Sequence, residues 1–127
     1  MNKPNPNFAA THEKLRAIME KYDGKGNLKL SEDKAGNIVL IGPPTKTSKG
    51  KEVWFDGVRT GKAYASYYLM AVYAFPDLLN DISPELKKRM QGKSCFNFRA
   101  VDEALFKELA QLTKKGYERF KKEKLIG

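Results

Sequence analysis

An imidazole base and a thiol nucleophile are each represented once in this chain, by His12 and Cys95, and nothing in the sequence selects a catalytic pair among its 15 Asp and Glu residues. A thiol attacks when an imidazole takes its proton and a third group orients that imidazole. Nothing in the sequence supplies a third group or brings residues 12 and 95 together. Cys95, between Ser94 and Phe96, reads as a small core residue, and His12, near a helix start, as an exposed or capping one. No catalytic residue is assigned, and no enzyme is expected. Structural zinc needs clustered Cys and His ligands, which two such residues cannot provide. Iron needs only hard oxygens, and Glu13, Glu20, Glu32, Asp33, Asp77 and Asp81 carry them. Yet the first helix alternates acid with base, and a net charge of +9 repels cations. No metal site or cofactor is assigned. Asp23-Gly24-Lys25-Gly26 lacks the spacing of a phosphate-cradling loop and reads as a turn.

Binding chemistry is better represented. Trp54, Tyr64, Tyr67 and Tyr68 put large aromatic surfaces into neighbouring strand-like segments, where an uncovered face would expose them to a ligand or partner. Lys87, Lys88, Arg89 and Lys93 form a basic edge beside them. The basic excess is concentrated in the C-terminal third, and only the stretch 63–83 is acidic. Such a balance favours anionic partners. An anionic small molecule or a protein partner ranks first, and nucleic acid is the alternative. Phe96 and Phe98 share one strand face, as base-stacking aromatics do in RNA-binding sheets, although alternating aromatics more often build a core.

These residues must be positioned by a single domain over 8–127, preceded by an Asn/Pro-rich lead over 1–7 expected to be disordered. Leu15, Ile18, Met19 and Tyr22 lie at i, i+3, i+4 and i+7, predicting an amphipathic first helix. Leu28–Ser31 and Ile38–Ile41 predict a strand pair, and Glu52–Phe55 a third strand stopped by Asp56-Gly57. Ala63–Tyr73, rich in tyrosine and bounded by Gly61 and Pro76, is read as a central strand. Ser83 and Pro84 open a helix over 84–90, with Gly92 as its left-handed exit. Ser94–Phe98 is the fifth strand. A last helix starts at Asp102, with Leu105, Leu109, Leu112 and Gly116 in one row. The order predicts an α+β fold: a mainly antiparallel sheet of about five strands with helices packed on one face. The run 63–75 is too short and polar to span a membrane. Met1–Asn7 has no apolar signal core, so no membrane association is expected and the cytoplasm is the expected compartment.

Tyr67-Tyr68-Leu69-Met70, Val72-Tyr73, Pro76, Leu78-Leu79 and the run from Ile82 through Ser83-Pro84-Glu85-Leu86-Lys87-Lys88-Arg89-Met90-Gln91-Gly92-Lys93-Ser94-Cys95-Phe96-Asn97-Phe98 resemble the YdhG-like family. The members are small bacterial proteins whose domain has no established function. The likeness covers roughly residues 12–120 and is most specific over 82–98. It implies a compact α+β domain. Some members are labelled frataxin-like iron chaperones, which the resemblance brings in as an alternative function. It transfers no catalytic residues.

Overall fold

The computed structural model describes residues 8–61 and 63–127, so the expected lead over 1–7 lies outside them. In chain order the elements are α1 (Ala9–Glu20), β1 (Lys29–Glu32), β2 (Ile38–Gly42), β3 (Val53–Thr60), β4 (Ala65–Leu69), α2 (Met70–Ala74), a 3-10 turn (Pro76–Leu79), α3 (Pro84–Lys87), β5 (Met90–Gln91), β6 (Cys95–Phe98) and α4 (Glu103–Lys122). Six strands form one antiparallel sheet in the order β1-β2-β3-β4-β6-β5. This is the α+β fold expected, with one more strand. β1 to β4 form a meander. The chain then leaves the sheet through α2, the turn and α3, and returns as the β5–β6 hairpin against β4.

The helices cover one face because their apolar stripes match it. Leu15, Ile18 and Met19 of α1 and Leu105, Leu109, Leu112 and Phe120 of α4 are buried against Leu40, Phe55, Val58, Leu69 and Phe96. Ser83 caps α3 by accepting from the Leu86 amide at 3.1 Å, and Asp102 caps α4 by accepting from Leu105 at 3.1 Å. Each satisfies an amide that the helix cannot. Glu108 of α4 ties the two capped helices together. Its carboxylate accepts from the Ser83 amide and hydroxyl, each at 2.6 Å.

Three expectations are corrected. The strand expected over Ala63–Tyr73 runs only from Ala65 to Leu69, and Met70–Ala74 is helical. Leu69 pairs with Asp56, the next residue of β3 is a bulge, and β6 begins opposite Tyr68. The ladder thus ends on both sides of β4, and the extended preference of Val72 and Tyr73 has nothing to pair with. α2 instead buries Ala71 and Val72, with Ala71 against Gly116 of α4. The third strand does not stop at Asp56-Gly57 but continues to Thr60. Asp56 finds a buried hydrogen-bond partner and Gly57 a close neighbour, so neither acts as a turn residue. The helix expected over 84–90 ends at Lys87, because Met90 and Gln91 pair with Phe96 and Cys95. Gly92, at φ +77°, turns this hairpin rather than ending a helix.

Candidate functional site

The bulge in β3 decides which residues reach the open side of the sheet. Trp54 pairs with Ile41 and Asp56 with Leu40, leaving Phe55 as an extra residue without a partner. Phe55 and Asp56 therefore both turn into the core, and alternation restarts one residue out of phase. Gly57 and Arg59 fall on the outer face, where Gly57 lies between Val39 and Tyr68.

On that face the indole of Trp54 folds back along its own strand and donates from Nε1 to the Asp56 carbonyl at 3.0 Å. Nε1 ends 3.6 Å from where a Cβ on residue 57 would stand, while the Ile38 carbonyl and Val39 would be 3.0 and 3.2 Å from it. Only a glycine leaves this floor open. The Tyr68 ring lies 6.2 Å from the indole at a tilt of 36°. These groups and Asp33, Asn37 and Arg59 line an open groove of about 520 Å³. Arg59 is exposed and has no ion pair among the described residues. Asp33 is held by its own turn, accepting from the Ala35 and Asn37 amides and the Asn37 side chain. Burial, with Cys95 next, pushes the Tyr68 phenol up, so it stays neutral and able to donate.

Beyond Tyr68 the outer face is polar. Ser66 donates to Asn97 Oδ1 at 2.6 Å, Cys95 lies 3.2 Å from the same oxygen, and Asn97 and Tyr64 both donate to Gln91 Oε1. Beneath the groove is a buried polar chain. Tyr67 Oη lies 3.1 Å from Asp56 Oδ2 and 2.8 Å from Thr113 Oγ1, and Thr113 donates to the Leu109 carbonyl at 2.9 Å. Asp56 Oδ1 has no partner. Burial raises the Asp56 carboxyl well above its usual range, opposed by the Tyr67 hydrogen bond.

The residues expected to form one binding surface are therefore divided. Trp54 and Tyr68 share the groove. Tyr64 belongs to the polar patch, and Tyr67 is fully buried on the opposite face. Lys87 and Lys93 line a different groove, beside α2. Arg89 lines a small concavity with Phe98 and Arg99, while Lys88 is exposed and borders none of these three depressions. Phe96 and Phe98 are core, as their alternation suggested, and present no base-stacking surface.

Two single-residue expectations are also reversed. His12 is buried with Nδ1 3.0 Å from Thr60 Oγ1, and burial lowers its pKa. Cys95 is half-buried on the outer face, so the sheet separates it from His12 and the two form no dyad. Among the described residues no three His, Cys, Asp or Glu side chains converge as metal ligands. Glu20 and Glu32 pair with Arg16, and Asp77 with Arg119. The sequence offers no site role for Arg59, Val39 or Asn37 and marks Gly57 only as a strand stop. Period-two alternation from Trp54 marks Asp56 and Val58 as its companions, and only the bulge replaces them with Gly57 and Arg59. Among the described residues no helix is long and apolar enough to cross a membrane. Comparison of the chain with protein-family models, curated proteins and solved structures finds no match.

Proposed function

We propose that this protein is a cytoplasmic binding module of the YdhG-like kind, rather than an enzyme, and that its outer sheet face takes a planar organic anion. The observation that carries this reading is the groove in which Trp54 and Tyr68 stand over the bare backbone of Gly57, with the exposed guanidinium of Arg59 in the same depression. Aromatic walls favour a flat ligand that offers its faces and edges to the rings. Arg59 presents a planar fork of donors suited to a carboxylate or phosphate. A glycine floor lets that ligand approach the strand closely. The volume suits a small molecule, as ligand grooves commonly span about 300–1,000 Å³.

Trp54 is the sole tryptophan, so its indole N–H gives one resonance in an amide correlation spectrum. Titration with 4-hydroxybenzoate should move that resonance, whereas the neutral 4-hydroxybenzamide should bind at least tenfold more weakly. Loss of one charge-assisted hydrogen bond, about 1.5–3 kcal/mol, should weaken binding of the acid to R59Q by about tenfold or more. Equal binding of acid and amide, or unchanged affinity in R59Q, would remove the anion reading. Saturable, salt-dependent binding of single-stranded RNA on the same resonance would replace it with nucleic-acid recognition.

A further inference from the structure

The second groove lies away from the sheet face, where α2, the 3-10 turn, α3 and the β5–β6 hairpin meet. Val72 and Tyr73 line it from α2, Pro76 and Leu79 from the turn, Met90 from β5, and Lys87, Gly92 and Lys93 complete it. We propose that it is a second binding site, for a small amphiphilic carboxylate. Lys87 and Lys93 would hold the head, and Tyr73, Leu79 and Met90 would receive the apolar body.

Three observations carry this. The depression measures about 630 Å³, within the ~300–1,000 Å³ typical of small-molecule sites. Five of its eight lining residues are apolar, and one of them, Tyr73, is 56% exposed, more than any other large hydrophobic residue described. An exposed apolar surface of this kind, rimmed by charge, marks a place of contact.

The third observation is electrostatic. No acidic residue lines the groove, and neither Lys87 nor Lys93 has an ion pair among the described residues. By contrast, Arg16 and Arg119 each bind two carboxylates. Two free ammonium groups beside an apolar trough complement an anion that carries a hydrocarbon body. Lysines act as point charges on flexible stems, unlike the fixed fork of arginine. They tolerate variation in head position, and Met90 adapts to the shape of the tail. The ligand class thus differs from the flat anion proposed for the sheet face, and Trp54 takes no part in it.

The test is calorimetric titration with octanoate, octanol and acetate, followed in parallel by NMR of methyl-13C-labelled methionine, with Met90 assigned through M90L. Octanoate should bind and shift the Met90 methyl while leaving the Trp54 indole resonance in place. Octanol and acetate should each bind at least tenfold more weakly. The K87Q/K93Q double variant should lose tenfold or more in affinity for octanoate. So should Y73E, which places a negative charge at a position already exposed and spares the core. Equal binding of octanol would overturn the proposal, as would unchanged affinity in both variants. A shift at Trp54 without one at Met90 would assign the ligand to the sheet face, and absence of binding at millimolar octanoate would leave the groove without this role.

Discussion

Replacing Asp56 with asparagine should abolish a pH dependence of stability that originates in one buried proton. Asp56 has no exposed surface, no ion pair among the described residues and one oxygen without a partner. The protons of the polar chain can be counted. Thr113 has one hydroxyl proton, and its 2.9 Å contact with the Leu109 carbonyl uses it. Tyr67 likewise has one, which it donates to Asp56 Oδ2 at 3.1 Å, and its 2.8 Å contact with Thr113 completes the chain. A carboxylate at position 56 would therefore have one hydrogen bond, from Tyr67, and an Oδ1 with none. One donor is little for a buried charge, and this favours the neutral acid. Burial points the same way, holding the Asp56 carboxyl well above its usual range.

The sign follows from linkage. A folded-state pKa raised above the unfolded value of about 3.9 means that folding takes up a proton in the interval between the two. The contribution is fully present below the unfolded value and is lost as pH rises towards the folded one. The slope is up to about 1.4 kcal/mol per pH unit across that window. For a urea m-value of about 1–3 kcal/mol/M, this is a midpoint change of about 0.5–1.4 M per pH unit. D56N preserves the chain, because its amide oxygen can accept from Tyr67 at every pH. Urea melts of both proteins should therefore give midpoints that diverge above about pH 4, wild type falling relative to D56N. His12 acts on both equally. Its pKa is lowered by burial, so its contribution is present above about pH 6.5 and lost on acidification, and it cancels in the difference. Parallel curves from pH 4 to 9 would show that Asp56 is not a neutral buried acid.

Two further outcomes test the packing that supports the grooves. In G116A the new Cβ would stand 2.7 Å from that of Ala71; overpacking of about 1–3 kcal/mol should outweigh a helix-propensity gain of about 1 kcal/mol. Thermal melting should show a lower midpoint, and a raised one would mean that α2 yields freely. E108A removes both 2.6 Å contacts to Ser83 and should cost about 1–3 kcal/mol, with the loss concentrated in α3. Hydrogen exchange should show faster exchange at Leu86, and unchanged protection there would mean that α3 is held by packing alone.

Short-range physics was legible in the sequence. The stripe Leu15, Ile18, Met19 and Tyr22, the row Leu105, Leu109, Leu112 and Gly116, and the caps Ser83 and Asp102 all depend on residues within a few turns of each other. With the strand-like runs between them, they were enough for the α+β class. The ends of strands were not legible, because a strand continues only while a neighbour offers amides and carbonyls to pair with. Ala63–Tyr73 breaks at Leu69 because β3 bulges opposite and β6 begins there, and neither event is written in residues 63–73. The same bulge hid the site. One unpaired residue, Phe55, inverts the facing of everything after it, placing Asp56 in the core and Gly57 and Arg59 in the groove. Tyr67 and Tyr68 are adjacent in sequence and alike in chemistry, yet one is core and the other lines the groove. Composition identified aromatic and basic residues able to bind an anion; only long-range pairing, which assigns each strand residue to a face, decided which of them meet.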